Sequence, residues 1–266
     1  MNFKNKYGEW ALITGATSGI GAELASQIAA KGLNIILVAR KQDELSKNAE
    51  SLASRYGVKT LAIAADLSKT QDIDKIFEAT QSIQIGLLAL AAGIEVNGAF
   101  WKTSIEEELQ LVQLNIVSTI KLTHHFVPQM VKNKKGGLLL IASLSGHMPN
   151  PYFSNYAGSK AFMLNFGASL HGELTPKGLD VTVLSPGLTK TPMVANNGVD
   201  WSKTPMKPME PSLVAETAIN GLGRSLLVVP GGKNKMMAGI AKHMPLSIQA
   251  RMNEKMMRKA IDKNKM

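Results

Sequence analysis

The 266-residue chain is 45% hydrophobic and 19% charged, which supplies apolar sequence for a large core, and its length suits one α/β domain with appendages. It has no cysteine, which excludes disulfides, thiolate metal sites and cysteine nucleophiles and fits a reducing, cytoplasmic compartment. The formal charge of +10 is uneven, because nine Lys and Arg stand against two acids from Lys233 onward. The basicity belongs to a tail and not to the body.

Residues 1–8 are polar and lead straight into an apolar run, so no apolar segment of a secretory signal is expected. Nearly continuous apolar runs at 10–14, 34–38, 58–64, 87–91, 138–142, 180–184 and 226–229 read as buried strands. Helical patterns fall between them at 19–31, 42–56, 70–80, 104–131, 155–175 and 212–225. This alternation predicts an α/β fold with a doubly wound, seven-stranded parallel sheet and helices on both faces. Its ligand site is expected beyond the carboxyl ends of the strands. The pattern lapses between Gly187 and Pro211, where prolines, methionines and Asn196-Asn197-Gly198 make a loop long enough to be functional. We read 187–211 as a substrate lid, 1–232 as the main domain and 233–266 as a C-terminal extension.

The first strand runs into Thr14-Gly15-Ala16-Thr17-Ser18-Gly19-Ile20-Gly21, which opens the first long helix. Glycines in a strand-turn-helix setting allow a tight turn and close approach of backbone to a pyrophosphate, while the helix N-terminus favours the anion. Gly15, Thr17, Ser18, Gly19, Ile20 and Gly21 are therefore candidate cofactor contacts, and the setting is that of a Rossmann fold. Further along, Tyr156 and Lys160 are four residues apart at the start of a predicted helix, so both project from one face. An ammonium beside a phenol stabilises the phenolate and is expected to bring its pKa down toward the working range.

Together these two motifs make the chain resemble the short-chain dehydrogenase/reductase family, over about residues 10–229. The resemblance implies a role for each matching position. The second strand ends Val38-Ala39-Arg40. Relatives that use NAD place an Asp there, whereas Arg40 would pair with a 2′-phosphate, so NADP(H) is expected ahead of NAD(H). Asp66 and Leu67 match the pair that holds the adenine. An Asp66 that caps the next helix is a compatible alternative. Ala92 and Gly93 stand on the ribose side, in Leu90-Ala91-Ala92-Gly93, where most relatives read Asn-Asn-Ala-Gly. Asn115 matches the asparagine that interrupts its helix and holds a water leading from the lysine to solvent. Ser143, thirteen positions before Tyr156, matches the serine that orients a substrate carbonyl. A serine hydrolase is excluded, because no G-x-S-x-G surrounds Ser143 or Ser145. Pro186, Gly187, Leu188 and Thr191 match the segment that holds the nicotinamide carboxamide.

The implied activity is that of an NADPH-dependent carbonyl reductase, or alcohol dehydrogenase in reverse. Asn115, Ser143, Tyr156 and Lys160 would be its catalytic residues, with Tyr156 the general acid/base. Met148, Phe153, Met193, Trp201, Met206 and Met209 suggest an apolar lid and a hydrophobic ketone, 3-ketoacyl or steroid-like substrate. A non-catalytic NADP(H)-sensing protein and a membrane-docking protein are the competing readings. The family likeness also implies a homodimer or homotetramer formed through the helices near 104–131 and 155–175. No metal is expected, since adjacent His124 and His125 point in different directions on a helix.

Residues 236–261 read as one or two helices broken at Pro245. Ile248, Met252, Met256, Met257, Ala260 and Ile261 recur at near-helical spacing opposite Arg251, Lys255, Arg258 and Lys259. Such a basic amphipathic helix suits either peripheral contact with an anionic membrane or packing on the body or another subunit. The tail is loosely similar to the ends of hydroxysteroid and long-chain 3-ketoacyl reductases. Nucleic acid is excluded as a partner, because the tail has no aromatic residue for stacking.

Overall fold

The computed structural model describes residues 3–266. Strands and helices alternate from β1 (Trp10–Thr14), which a short helix α1 (Phe3–Tyr7) precedes. There follow α2 (Gly19–Ala29), β2 (Asn34–Ala39), α3 (Gln42–Tyr56), β3 (Thr60–Ala64), α4 (Thr70–Ala79) and β4 (Ile85–Leu90). Next come α5 (Ile105–Val112), a π-helical turn (Gln113–Val117), α6 (Ser118–Asn133), β5 (Gly136–Ile141), α7 (Ser154–Leu174) and β6 (Leu179–Leu184). The chain ends with α8 (Pro192–Ala195), α9 (Pro211–Gly221), β7 (Leu227–Val228), α10 (Gly232–Ala241) and α11 (Leu246–Ala260).

The seven strands form one sheet in the order β3-β2-β1-β4-β5-β6-β7, with every pairing parallel. Strands β4 and β5 are buried along their whole length, which is why they carry unbroken apolar sequence. One face packs Leu24, Ile28, Leu45, Val214 and Ala218, and the other packs Ile73, Ile76, Leu122, Phe126 and Met163. Sheet order reverses between β1 and β4, so their carboxyl ends open a crevice where ligands of doubly wound folds bind.

The helix expected over 104–131 is divided by the π-helical turn at 113–117. An extra residue in one helical turn rotates the side chains that follow, and here it brings Asn115 to 1% exposure, facing the loop after β4. The helix expected to reach residue 225 stops at Gly221. Leu222 is extended there and Gly223 is left-handed at φ 69°.

The lid region is tied down at several points. Leu188 O accepts from Met209 N and Met209 O from Lys190 N, both at 2.9 Å, while Asp200 N donates to Ala260 O at 2.9 Å. The expected apolar stripe of α11 splits. Met257, Ala260 and Ile261 are buried against Phe153, but Ile248 and Met252 stay about half exposed, lining one shallow groove with Arg251 and Lys255. The buried face is set by contact with the lid and Phe153, which lies off the axis that apolar spacing alone marks. Among the described residues no helix is long and apolar enough to cross a membrane.

Candidate active site

The glycine turn lies at the carboxyl end of β1, and its backbone leaves no room for side chains. A Cβ on Gly15 would come 3.0 Å from the main chain of Ala92, and one on Gly21 would collide with the carbonyl of Gly15. Gly19, left-handed at φ 55°, faces Thr191, whose Cγ2 would be 2.8 Å from an added Cβ. The turn before α2 and the segment after β6 are thus close enough to flank one ligand. Thr14 Oγ1 accepts from Ala92 N at 3.0 Å, joining the turn to the loop after β4. The small residues of Leu90-Ala91-Ala92-Gly93 are what permit this approach. These features form a cradle that fits a dinucleotide, with Ser18, Arg40 and Gly93 lining one cavity of about 950 Å³.

Arg40 is exposed and forms no ion pair among the described residues. Asp66 Oδ1 accepts from Ser68 N at 3.1 Å and from Ser68 Oγ at 2.7 Å. It therefore closes a turn and does not cap α4, whose N-cap is Lys69. Leu67 is buried in the core below, and Ile20 packs on the opposite face. Pro186 O accepts from Leu144 N at 2.9 Å, tying the segment after β6 to the one after β5. Leu188 is buried, Gly187 lies against Asn234, and Thr191 caps α8 through Val194 N.

Helix α7 carries Tyr156 and Lys160 on one face, and Ser143, two residues past the end of β5, hydrogen-bonds Tyr156. Lys160 is buried; its Nζ donates to Ile141 O at 2.9 Å and lies 5.6 Å from the centre of the Tyr156 ring. Burial brings the Lys160 ammonium down to about 8, against the opposing pull of the Glu95 carboxylate. Burial first, and the Glu95 charge second, push the Tyr156 phenol above its usual range, while a hydrogen bond with Ser143 works the other way. The direction is opposite to the one expected from an adjacent ammonium. Lys160 is spent on a main-chain carbonyl, and a carboxylate shares the site.

Asn115 does not reach Lys160 directly. Its Oδ1 accepts from Ile94 N and its Nδ2 donates to Ile94 O, both at 2.9 Å, and Nδ2 also meets Ser159 Oγ at 3.1 Å. Ser159 Oγ in turn donates to Tyr156 O at 2.7 Å. Asn115 thus braces the loop after β4 against the helix that carries Tyr156.

Sequence reasoning passed over the polar wall of the cavity. Glu95, Asn97, Asn197 and Lys265 all line it, and they come from three distant parts of the chain. Asn197 Nδ2 donates to Glu95 Oε1 at 2.7 Å, and Lys265 Nζ donates to Asn97 Oδ1 at 3.0 Å and to Asn197 O at 3.3 Å. One signal was available for Glu95, an acidic residue just past the small-residue run of a central strand. Of the expected apolar lid residues, Met193 lines the cavity, and Phe153 and Trp201 pack beside Tyr156 and the tail. Met209 instead packs on the core.

Residues 9–200 match the family model described as short chain dehydrogenase. The chain is 31% identical over 238 residues to a 7beta-hydroxysteroid dehydrogenase of Collinsella aerofaciens, covering 88% of this chain and 90% of the relative. It is also similar to a solved 7beta-hydroxysteroid dehydrogenase, with TM-score 0.86 and 28% identity over 95% of this chain and 99% of the other. A short-chain dehydrogenase from Sphingobium yanoikuyae, solved in complex with NADPH, matches with TM-score 0.81 and 30% identity over 88% and 94% of the two chains.

Proposed function

The chain belongs to the short-chain dehydrogenase family, and from that premise we propose that it is an NADPH-dependent carbonyl reductase, reversible as an alcohol dehydrogenase. Its substrate would be a ketone on a bulky apolar frame, of the steroid-like or 3-ketoacyl kind. The observation that carries the reading is the meeting of Tyr156, Ser143 and Lys160 beside the dinucleotide-shaped cradle of Gly15, Gly19 and Gly21. The apolar cluster of Phe153, Met257, Ala260 and Ile261, on which Tyr156, Trp201, Met256 and Met266 pack, and the likeness to 7beta-hydroxysteroid dehydrogenases, support the bulky frame.

The chemistry a nicotinamide cofactor would supply here, NADPH in this reading, is hydride for the carbonyl carbon. Ser143 and Tyr156 hydrogen-bond the carbonyl oxygen as it gains negative charge, and Tyr156 donates its proton there. A phenol held neutral by burial suits this direction of reaction. Lys160 holds the ribose hydroxyls and returns a proton toward Tyr156, and Asn115 positions the loop that closes the ribose side and holds the water that leads to solvent. Gly15, Thr17, Ser18, Gly19, Ile20 and Gly21 contact the pyrophosphate, and Arg40 takes the 2′-phosphate. Asp66 and Leu67 hold the adenine, Ala92 and Gly93 the ribose, and Pro186, Gly187, Leu188 and Thr191 the carboxamide. The likeness to a protein solved with NADPH supports this cofactor.

In this reading residues 1–232 are the cofactor-binding and catalytic unit, 187–211 its lid, and 233–266 an extension that completes the substrate side. We extend it to a homodimer or tetramer built on α5, α6 and α7. Exposed Phe100, Trp101, Ile105 and Leu109 at that end support an assembly.

The test is loss of NADPH absorbance with a panel of ketones, for wild type and Tyr156→Phe. Turnover that falls about 10²- to 10⁴-fold in the variant is expected. NADPH binding without turnover of any ketone would favour a sensing protein, and equal rates for the two proteins would remove Tyr156 from the mechanism.

A further inference from the structure

Glu95 sits two residues beyond Gly93, on the loop that leaves β4, and lines the large cavity. Its backbone is fixed from behind, because Asn115 binds both main-chain polar groups of Ile94. Its side chain is fixed from one side only. Oε1 accepts from Asn197 Nδ2 at 2.7 Å, whereas Oε2 has no donor among the described residues. Asn197 is itself 8% exposed, and its carbonyl accepts from Asn97 Nδ2 at 3.0 Å and from Lys265 Nζ. A carboxylate set this firmly, with one oxygen left for the cavity, has the form of a recognition group. It is near the reacting end, since its charge acts on both Tyr156 and Lys160.

The surroundings restrict what it recognises. The ammonium groups of Lys160 and Lys265 act on this single carboxylate, so a cationic ligand meets a net positive site. An anionic group would face the carboxylate itself. A neutral hydroxyl satisfies Oε2 without either conflict.

We propose that Glu95, held by Asn197, is a specificity-determining residue that accepts a hydrogen bond from a substrate hydroxyl separate from the reacting carbonyl, so that the enzyme selects hydroxyketones. This deepens the carbonyl-reductase reading and rests on it.

The test uses the full-length protein with NADPH and rigid bicyclic and tetracyclic ketones, each paired with a counterpart bearing one more hydroxyl. Wild type is expected to favour at least one hydroxyketone over its parent by about tenfold to a hundredfold in kcat/KM, the range of a hydrogen bond to a charged group. Glu95→Leu should remove that ratio, and Glu95→Gln, nearly isosteric, should reduce it at least severalfold and carries the test if the leucine variant fails to fold. A merely structural role would lower both members of a pair together. A ratio that survives both substitutions, or no hydroxyl preference in wild type, overturns the proposal while ketone reduction stands. Absence of turnover with every ketone overturns the carbonyl-reductase reading and this proposal with it.

Discussion

The two sides of the crevice are built by different means. On the cofactor side, position is a matter of backbone: Gly15, Gly19 and Gly21 bring main chains and Thr191 so close that an added Cβ has no space. On the substrate side, position is a matter of side chains that cross the fold. Asn197 reaches Glu95 across 102 residues and Lys265 reaches Asn97 across 168. A backbone cradle tolerates few residue types, because an added side chain meets main chain at once. A wall of exchanged side-chain bonds is free to vary, and it is where one chain's substrate preference can differ from another's.

Arg40 tests the cofactor side most sharply, because it is a side chain added to a backbone cradle. Arg40→Asp should lower the preference for NADPH over NADH, measured as a ratio of kcat/KM values, by about tenfold to a hundredfold. Hydroxyketone selectivity should not move with it. An unchanged cofactor ratio would mean that Arg40 is only an exposed surface residue.

The same contrast explains what was legible in the sequence. Strands, helices and the glycine turn were readable because apolar period and Thr14-Gly15 to Gly21 are local signals. Tyr156 and Lys160 were readable because four residues of helix put both on one face, and Ser143 because the family resemblance marks its place thirteen positions before Tyr156. A break in the helix at Asn115 was legible only through the family resemblance, since the apolar period runs on across it; its form, a π-helical turn in which Asn115 pairs with Ile94, 21 residues away, was not. Glu95 stayed hidden for the same reason, with its partner Asn197 in a segment of no regular pattern. The α11 stripe held at Met257, Ala260 and Ile261, which pack with Phe153, and failed at Ile248 and Met252, because the spacing of a helix does not encode where its partner surface ends.

Lys160 belongs to both sides, and pH separates its contributions. Its ammonium is lowered to about 8, so the charged form is present below that pH and is lost above it. Ketone reduction should therefore fall as pH rises through about 8, by about tenfold per unit beyond it. Glu95→Gln removes the charge that opposes this shift, and should move the limb to lower pH. A rate that is flat from pH 6 to pH 10 (about two units either side of the expected limb) would deny Lys160 a titrating role.

The smallest effect is expected at Lys265, and it examines whether the two sides are separable. Its Nζ bonds two neutral acceptors, Asn97 Oδ1 and Asn197 O, and neither bond is short. Its main chain is held independently, with Lys265 O accepting from Ala99 N at 2.7 Å. Lys265→Ala therefore leaves the tail segment anchored and removes the brace on Asn97 and Asn197 together with one of the two ammonium groups that act on Glu95. The KM for a ketone should rise about twofold to fivefold, the scale of one modest hydrogen bond. The Kd for NADPH should stay where it was, because the glycine turn is fixed by its own backbone contacts with Ala92. Equal shifts in the two constants would mean that the tail and the cradle move as one unit, and that the division between a backbone side and a side-chain side does not hold.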